Sequence, residues 1–190
     1  LMSRAKVVPR SEAAAAFIRQ FMPKVADITI DHGVDLKKFP LPDVRKKADQ
    51  FVVVSQLIAR KHIERTIEAF GDFVRQGNSG YRLCIIGQGE EETRLKGLVQ
   101  TLGLKEQVLF YGQMSHTALT PIVAQSRALL VSTRKDNNMV SIVESIALGT
   151  PVVTTPVPYN AAYIRGEDLG IVQDGWGADA LVPVSYTHLR

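Results

Sequence analysis

The segments Ala128-Leu-Leu-Val-Ser132, Asp136-Asn-Asn-Met-Val-Ser-Ile-Val-Glu144 and Ser145-Ile-Ala-Leu-Gly149-Thr-Pro-Val-Val-Thr-Thr155 decide how this chain folds. An apolar strand delivers the chain to a polar loop. The loop opens a helix that carries Glu144 one turn inside, and Gly149-Thr-Pro stops that helix before a second apolar strand. The first amides of a helix have no acceptor within it, and the dipole adds partial positive charge there, so a phosphate can bind at such an end. Glu144, set back along the helix, is placed to accept hydrogen bonds from hydroxyl groups. Strand, loop and helix occur in every doubly wound domain, and two carboxylates eight positions apart are usually only solvated charges, so the rest of the chain must supply the context.

Working outward, the pattern from Phe51 alternates as βα units do. Phe51-Val-Val-Val54, Leu83-Cys-Ile-Ile86, Val108-Leu-Phe-Tyr111, Ala128 to Val131 and Val152-Val153 read as strands, with a weaker one near Ile171-Val172. Between them Ile63, Ile67, Phe70 and Val74 repeat at helical spacing, as do Leu95, Leu98, Val99 and Leu102 before Gly103, and Leu119 to Val123 reads as a short helical segment. Short apolar strands with amphipathic helices between them predict an α/β, Rossmann-like parallel sheet with helices on both faces and ligands beyond the strand C-termini. Upstream, Ser11 to Phe21 reads as a helix with Phe17, Ile18 and Phe21 on one face, ended by Pro23. The Pro-, Lys- and Arg-rich stretch up to Asp49 has a linker's composition. No helix is expected after the last strand.

With 190 residues, 45% of them apolar, the chain can bury a real core. A net charge of +4 fits a phosphorylated ligand or an anionic membrane surface and falls short of a nucleic-acid footprint. Lys37-Lys38 and Arg45-Lys46-Lys47 concentrate that charge, either as a solvated face or as a patch facing a bilayer. The single cysteine, Cys84, rules out an internal disulfide, and cytoplasm is the expected location, with any membrane contact peripheral because no run reaches the roughly 18 apolar residues of a span. His32, His62, His116 and His188 show no ligand spacing, so no metal is expected. Ser132 and Ser141 lack a partner base, which removes a hydrolase triad. Gly87-Gln-Gly89 lacks the third glycine of a dinucleotide fingerprint and reads as a tight turn.

The opening motif resembles the signature of GT-B retaining glycosyltransferases of family 4, in which two acids flank seven residues before a Gly-Thr-Pro-Val-Val run. Asp136 stands where that family usually has Glu, and Asn137-Asn138-Met139 stand where Gly-Phe-Gly is common. Ser55-Gln56-Leu57-Ile58-Ala59-Arg60-Lys61 occupies the place of a Gly-Arg-Leu followed by Lys-Gly: Lys61 matches the lysine, Gln56 replaces the arginine, and Arg60 is positioned to supply the missing charge. Tyr111-Gly112-Gln113-Met114 occupies the place of the loop whose backbone meets the base, and Asp31-His-Gly-Val-Asp35 with Phe39-Pro-Leu-Pro42 resembles the interdomain crossover, with His32 where Asn is usual.

The resemblance covers roughly residues 5 to 180. It implies the end of an N-terminal domain over 1–27, a crossover over 28–50 and the C-terminal nucleotide-sugar-binding domain over 51–183. Residues 184–190 resemble translated sequencing adapter, so the chain reads as a fragment. By resemblance the parent moves a sugar from a nucleotide diphosphate sugar to a glycan or lipid-linked acceptor, with retention and without metal or other cofactor. Glu144 would hold the ribose. Asp136 and the backbone of Asn138, Met139 and Val140 would face the donor sugar and phosphates, with Gln56, Arg60 and Lys61 on the diphosphate and Gln113 and Met114 near the base. A GT-B epimerase, a phosphorylase or a non-catalytic nucleotide-binding module would keep the same sheet.

Overall fold

In the computed structural model, which describes residues 8–9, 12–22, 30, 33–35, 47–136, 138–158 and 160–185, each apolar run becomes a parallel strand. These are β1 (Gln50–Val54), β2 (Arg82–Ile86), β3 (Val108–Gly112), β4 (Ala128–Val131), β5 (Val152–Thr154) and β6 (Gly170–Val172). They form one sheet in the order β3-β2-β1-β4-β5-β6. The chain builds outward from β1 to β3, returns to place β4 on the other side of β1, and builds outward again to β6. β1 and β4 are therefore neighbours whose following connections leave in opposite directions, with Phe51 beside Ala128 and Val52 beside Leu129. Such a switch point opens a crevice at the strand C-termini.

Side chains alternate across the sheet, so a strand buried on both faces is apolar throughout. Phe51 and Val53 of β1 belong to one core with Ile63, Ile67, Phe70 and Phe73 of α2 (Ile63–Arg75) and Leu95 and Val99 of α3 (Glu92–Thr101). Val52 faces the other core, with Leu119 and Val123 of α4 (His116–Gln125), Ile142 of α5 (Val140–Ala147) and Ile164 of α6 (Ala161–Gly166). The first core is closed by aromatic contacts: Phe51 meets Phe73 edge-on with ring centroids 5.5 Å apart and stacks on Tyr81 at the same spacing.

Several elements differ from the sequence reading. α1 (Glu12–Arg19) forms, with Phe17 and Phe21 in edge-to-face contact 5.4 Å apart and both exposed. α4 extends from His116, where the Ser115 hydroxyl accepts from the Ala118 amide as a cap, and carries Pro121 inside it. Helix α6 between β5 and β6 was not expected. The expectation of no helix after β6 is corrected: a 3-10 turn at Ala178–Ala180 and the short helix α7 (Val182–Ser185) follow, and Ala180 and Leu181 are buried in the first core. α7 also carries helix into the first two residues of the adapter-like segment 184–190.

Of the basic patch, Lys37, Lys38, Arg45 and Lys46 lie outside the described residues, but the bilayer-facing reading fails for Lys47. Its ammonium donates to Ala124 O at 2.6 Å, Gly149 O at 3.1 Å and Thr150 Oγ1 at 3.1 Å, at the C-terminal ends of α4 and α5. Cations at helix C-termini complement the dipole and the leftover carbonyls. Burial and the neighbouring Arg127 guanidinium pull the Lys47 ammonium down to a pKa of about 8. Among the described residues no helix is long and apolar enough to cross a membrane.

Candidate functional site

Two loops meet at the switch point. After β1 the chain runs through Ser55 to a 3-10 turn at Ala59–Lys61 and enters α2 through His62, whose φ of 57° lies in the left-handed region. After β4 it runs from Ser132 to Asp136. The loops are stitched together through backbone carbonyls: the Arg134 amide donates to Arg60 O at 2.9 Å, the Thr133 hydroxyl to the same oxygen at 3.1 Å, and the Ser132 hydroxyl to His62 O at 2.8 Å. Arg134 Nε donates to His62 Nδ1 at 3.1 Å, which places the imidazole proton on Nε2, 3.4 Å from Glu64 Oε1. Burial, the largest influence on this ring, lowers its pKa, and the Glu64 carboxylate opposes that.

This stitching puts Lys61 and Asp136 together. Lys61 Nζ donates to Asp136 Oδ2, and Arg60 Nη1 stands 3.6 Å from the same oxygen. The Lys61 and Asp136 side chains are 11% and 13% exposed whereas that of Arg60 is 50% exposed, so the lysine pair is largely shielded from water and its electrostatics are strengthened accordingly.

Gln56, Lys61, Asp136, Asn138, Met139 and Val140 line one hollow of about 170 Å³. Beside it lies an open cleft of about 810 Å³ lined by Gln56, Gln113, Met114, Val140 and Glu144 among others; Ser55 and Ser141 reach both cavities. Every side chain singled out in the sequence thus lines one cavity or the other except Arg60, which stands against Asp136. The head of α5 closes the hollow. Val140 and Ser141 have no intrahelical acceptor for their amides, and among the described residues the buried Ser141 hydroxyl has no hydrogen-bond partner. The Met139 amide is not available in the same way, because it donates to Asn160 Oδ1 at 2.7 Å.

Glu144 sits one turn further along α5, 9% exposed, with His116 Nδ1 3.6 Å from its Oε1. Burial raises its pKa above the ordinary carboxylate value, and the His116 charge opposes that rise. The floor of the cleft is made by Gly87-Gln88-Gly89. A Cβ on Gly87, at φ 133°, would come within 1.8 Å of Ser55 O, and one on Gly89 within 2.3 Å of Leu57 O. The glycines do more than turn the chain. They let the β2 loop lie directly on the β1 loop, where the Leu57 amide donates to Gln88 O at 3.0 Å and the Glu91 amide to Leu57 O at 2.9 Å. Sequence reasoning missed Asn160, His116 and Ser141 as members of the site; only His116, just behind the Gln113-Met114 loop, carried a positional signal. Among the described residues no three His, Cys, Asp or Glu side chains group as metal ligands do.

A parallel sheet that reverses its direction of growth, with a hollow and a cleft at the switch point, defines a doubly wound α/β domain. More narrowly, the chain belongs to the family of glycosyl transferases group 1, whose model matches residues 37–182. Alpha-monoglucosyldiacylglycerol synthase of Streptococcus pneumoniae (strain ATCC BAA-255 / R6) is 22% identical over 183 residues, covering 89% of this chain and 41% of that protein. Among solved structures, WaaG, a glycosyltransferase involved in lipopolysaccharide biosynthesis, matches with a TM-score of 0.80 at 18% identity over 96% of this chain and 54% of its own. A TarM mutant of S. aureus, in complex with UDP and alpha-GlcNAc-glycerol, also gives a TM-score of 0.80 at 18% identity, over 96% of this chain and 37% of its own. The fold is the Rossmann-like half of a GT-B glycosyltransferase, and the chain spans 41% of the synthase it matches.

Proposed function

We propose that this chain is the donor-binding half of a retaining glycosyltransferase that moves a sugar from a nucleotide diphosphate sugar to a glycan or lipid-linked acceptor. One observation carries the reading: Lys61, Asp136 and the head of α5 share a hollow at the switch point, and Glu144 lines the cleft beside it. A nucleoside diphosphate gains negative charge on its bridging oxygen as the glycosidic bond breaks, and preorganised cations and helix amides stabilise that charge. Lys61, with Arg60 behind it, and the amides of Val140 and Ser141 do so here. Glu144 accepts from the ribose hydroxyls, Gln113 and Met114 border the base, and Gln56 contributes neutral hydrogen bonds to the phosphates. Asp136 holds Lys61 before the donor arrives and faces the sugar once the phosphates draw the ammonium away. The UDP bound to TarM and the monoglucosyldiacylglycerol for which the pneumococcal synthase is named support the donor and a lipid-linked acceptor respectively.

Calorimetric titration of the full-length protein with nucleoside diphosphates tests the assignment. Glu144→Ala is expected to weaken the best-binding diphosphate by about 10- to 100-fold, the value of hydrogen bonds to a charged acceptor, and Asp136→Asn by much less. Equal dissociation constants for wild type and the Glu144 variant rule out the ribose role. Incubating the full-length protein with donor and acceptor, then analysing products, separates transfer from epimerisation or phosphorolysis.

A further inference from the structure

Asn160 lines neither cavity and is fully buried. Its carboxamide is nonetheless spent on the loop that builds the hollow. Oδ1 accepts from the Met139 amide at 2.7 Å, while Nδ2 faces Asn138 Oδ1 and the Tyr163 hydroxyl. These bonds cross 21 and 22 residues of sequence and tie the N-terminal turn of α6 to the N-terminal turn of α5. The Met139 side chain is itself buried at 6% exposure, so an unpartnered amide there could not fall back on water.

We propose that Asn160 is a positioning residue for phosphate binding at the head of α5. By occupying the Met139 amide and gripping Asn138, it fixes where the helix begins. The donors left for a phosphate are then the next two amides, of Val140 and Ser141, beside the buried Ser141 hydroxyl, which has no hydrogen-bond partner among the described residues. A neutral carboxamide suits this task. It satisfies the Met139 amide without bringing a negative charge to a place that must receive an anion. The inference rests on the donor-binding reading above and adds the group that aims the phosphate contacts without touching the ligand.

The test uses the full-length protein, inorganic pyrophosphate, whichever of UDP, GDP and ADP binds most tightly, and the bare nucleoside of that diphosphate. Asn160→Leu, close in size, is expected to raise the dissociation constants of pyrophosphate and the diphosphate by about tenfold, as one freed buried amide and a shifted helix start would. Affinity for the bare nucleoside is expected to stay within about twofold, because Glu144 and the cleft are untouched. A loss shared equally by nucleoside and diphosphate, or no loss for either phosphate ligand, overturns the positioning role. In the ligand-free protein the Met139 amide is expected to lose hydrogen-exchange protection in Asn160→Leu, and protection equal to wild type overturns the proposal independently of any ligand. If wild type binds neither pyrophosphate nor any of the diphosphates, the donor reading fails, and the exchange result then reports on Asn160 alone. Should Asn160→Leu fail to fold, Tyr163→Phe removes only the hydroxyl that faces Nδ2. It is expected to weaken pyrophosphate by about two- to threefold with the nucleoside unchanged, and a uniform change in both sinks the idea.

Discussion

At the residue scale, the two acids of the opening motif have different surroundings, and the surroundings set what each can do. Asp136 is held by Lys61 with Arg60 nearby, whereas Glu144 is buried beside a single imidazole. Burial raises the Glu144 pKa, so in the folded protein it takes up a proton at a pH where an exposed glutamate is still ionised. The sign for stability follows: the folded state binds that proton more tightly than the unfolded state, and the resulting contribution is lost as pH rises through the raised value. For ligand binding the sign is opposite, because only the carboxylate accepts from hydroxyls at both oxygens. Affinity for the nucleoside is therefore expected to fall as pH drops through a midpoint above 4.5. His116→Gln removes the charge that opposes the rise and is expected to move that midpoint further up. A binding midpoint at or below 4.5, or one unmoved by His116→Gln, contradicts this. Lys61, Asp136 and Glu144 were singled out because a resemblance spread over several ordered motifs supplied the context that charge and spacing alone lack, and they line neighbouring cavities. Asn160 was not. Its role lies in contacts 21 and 22 residues away, and after Pro156-Val-Pro158 it reads as any loop asparagine.

At the element scale, five strands were legible as short apolar runs, unbroken where a parallel strand is buried on both faces, as in β4. The sixth was weaker, since β6 is only half-buried and begins with Gly170 at φ 151°, where a Cβ would sit 1.9 Å from Val152 O. That close approach is a tertiary fact with no local pattern. The helix ends hold a second such case. Lys47, placed by composition in a solvated or membrane-facing patch, joins the C-termini of α4 and α5 through three oxygens. Its folded pKa of about 8 lies below the ordinary 10.5. Between those two values the unfolded chain binds more protons than the folded one, so this group's contribution to stability rises with pH across that window. Denaturant unfolding of wild type and Lys47→Met at several pH values between 7 and 10.5 checks this. The stability difference is expected to move in favour of wild type as pH rises from about 8, by up to about 2 kcal/mol after allowing for partial exposure. A difference that stays flat across the window would show that the ammonium is not desolvated at the two helix ends.

At the scale of the whole molecule, the α/β class and the place of the cleft follow from strand order alone, because β1 and β4 can be neighbours only if the chain reverses its direction of growth between them. What strand order does not supply is closure. The cleft beside Glu144 is open, with Gln56 and Gln113 exposed at its walls. Sugar transfer needs the acceptor hydroxyl aligned with the anomeric carbon and bulk water kept from competing with it. In the synthase matched here the aligned residues are 41% of the protein, so more than half of its length lies beyond what this chain represents. Binding and transfer are therefore expected to separate. The 190-residue chain should bind a nucleoside diphosphate through Lys61, the head of α5 and Glu144, more weakly than the full-length protein does, and give no transfer above background when supplied with donor and acceptor. A radiolabelled-donor assay on the purified chain beside the full-length protein makes the comparison, with calorimetry for the diphosphate. Transfer by the chain alone at a rate comparable to the full-length protein would place the acceptor site and water exclusion within these residues and overturn the division of labour proposed here.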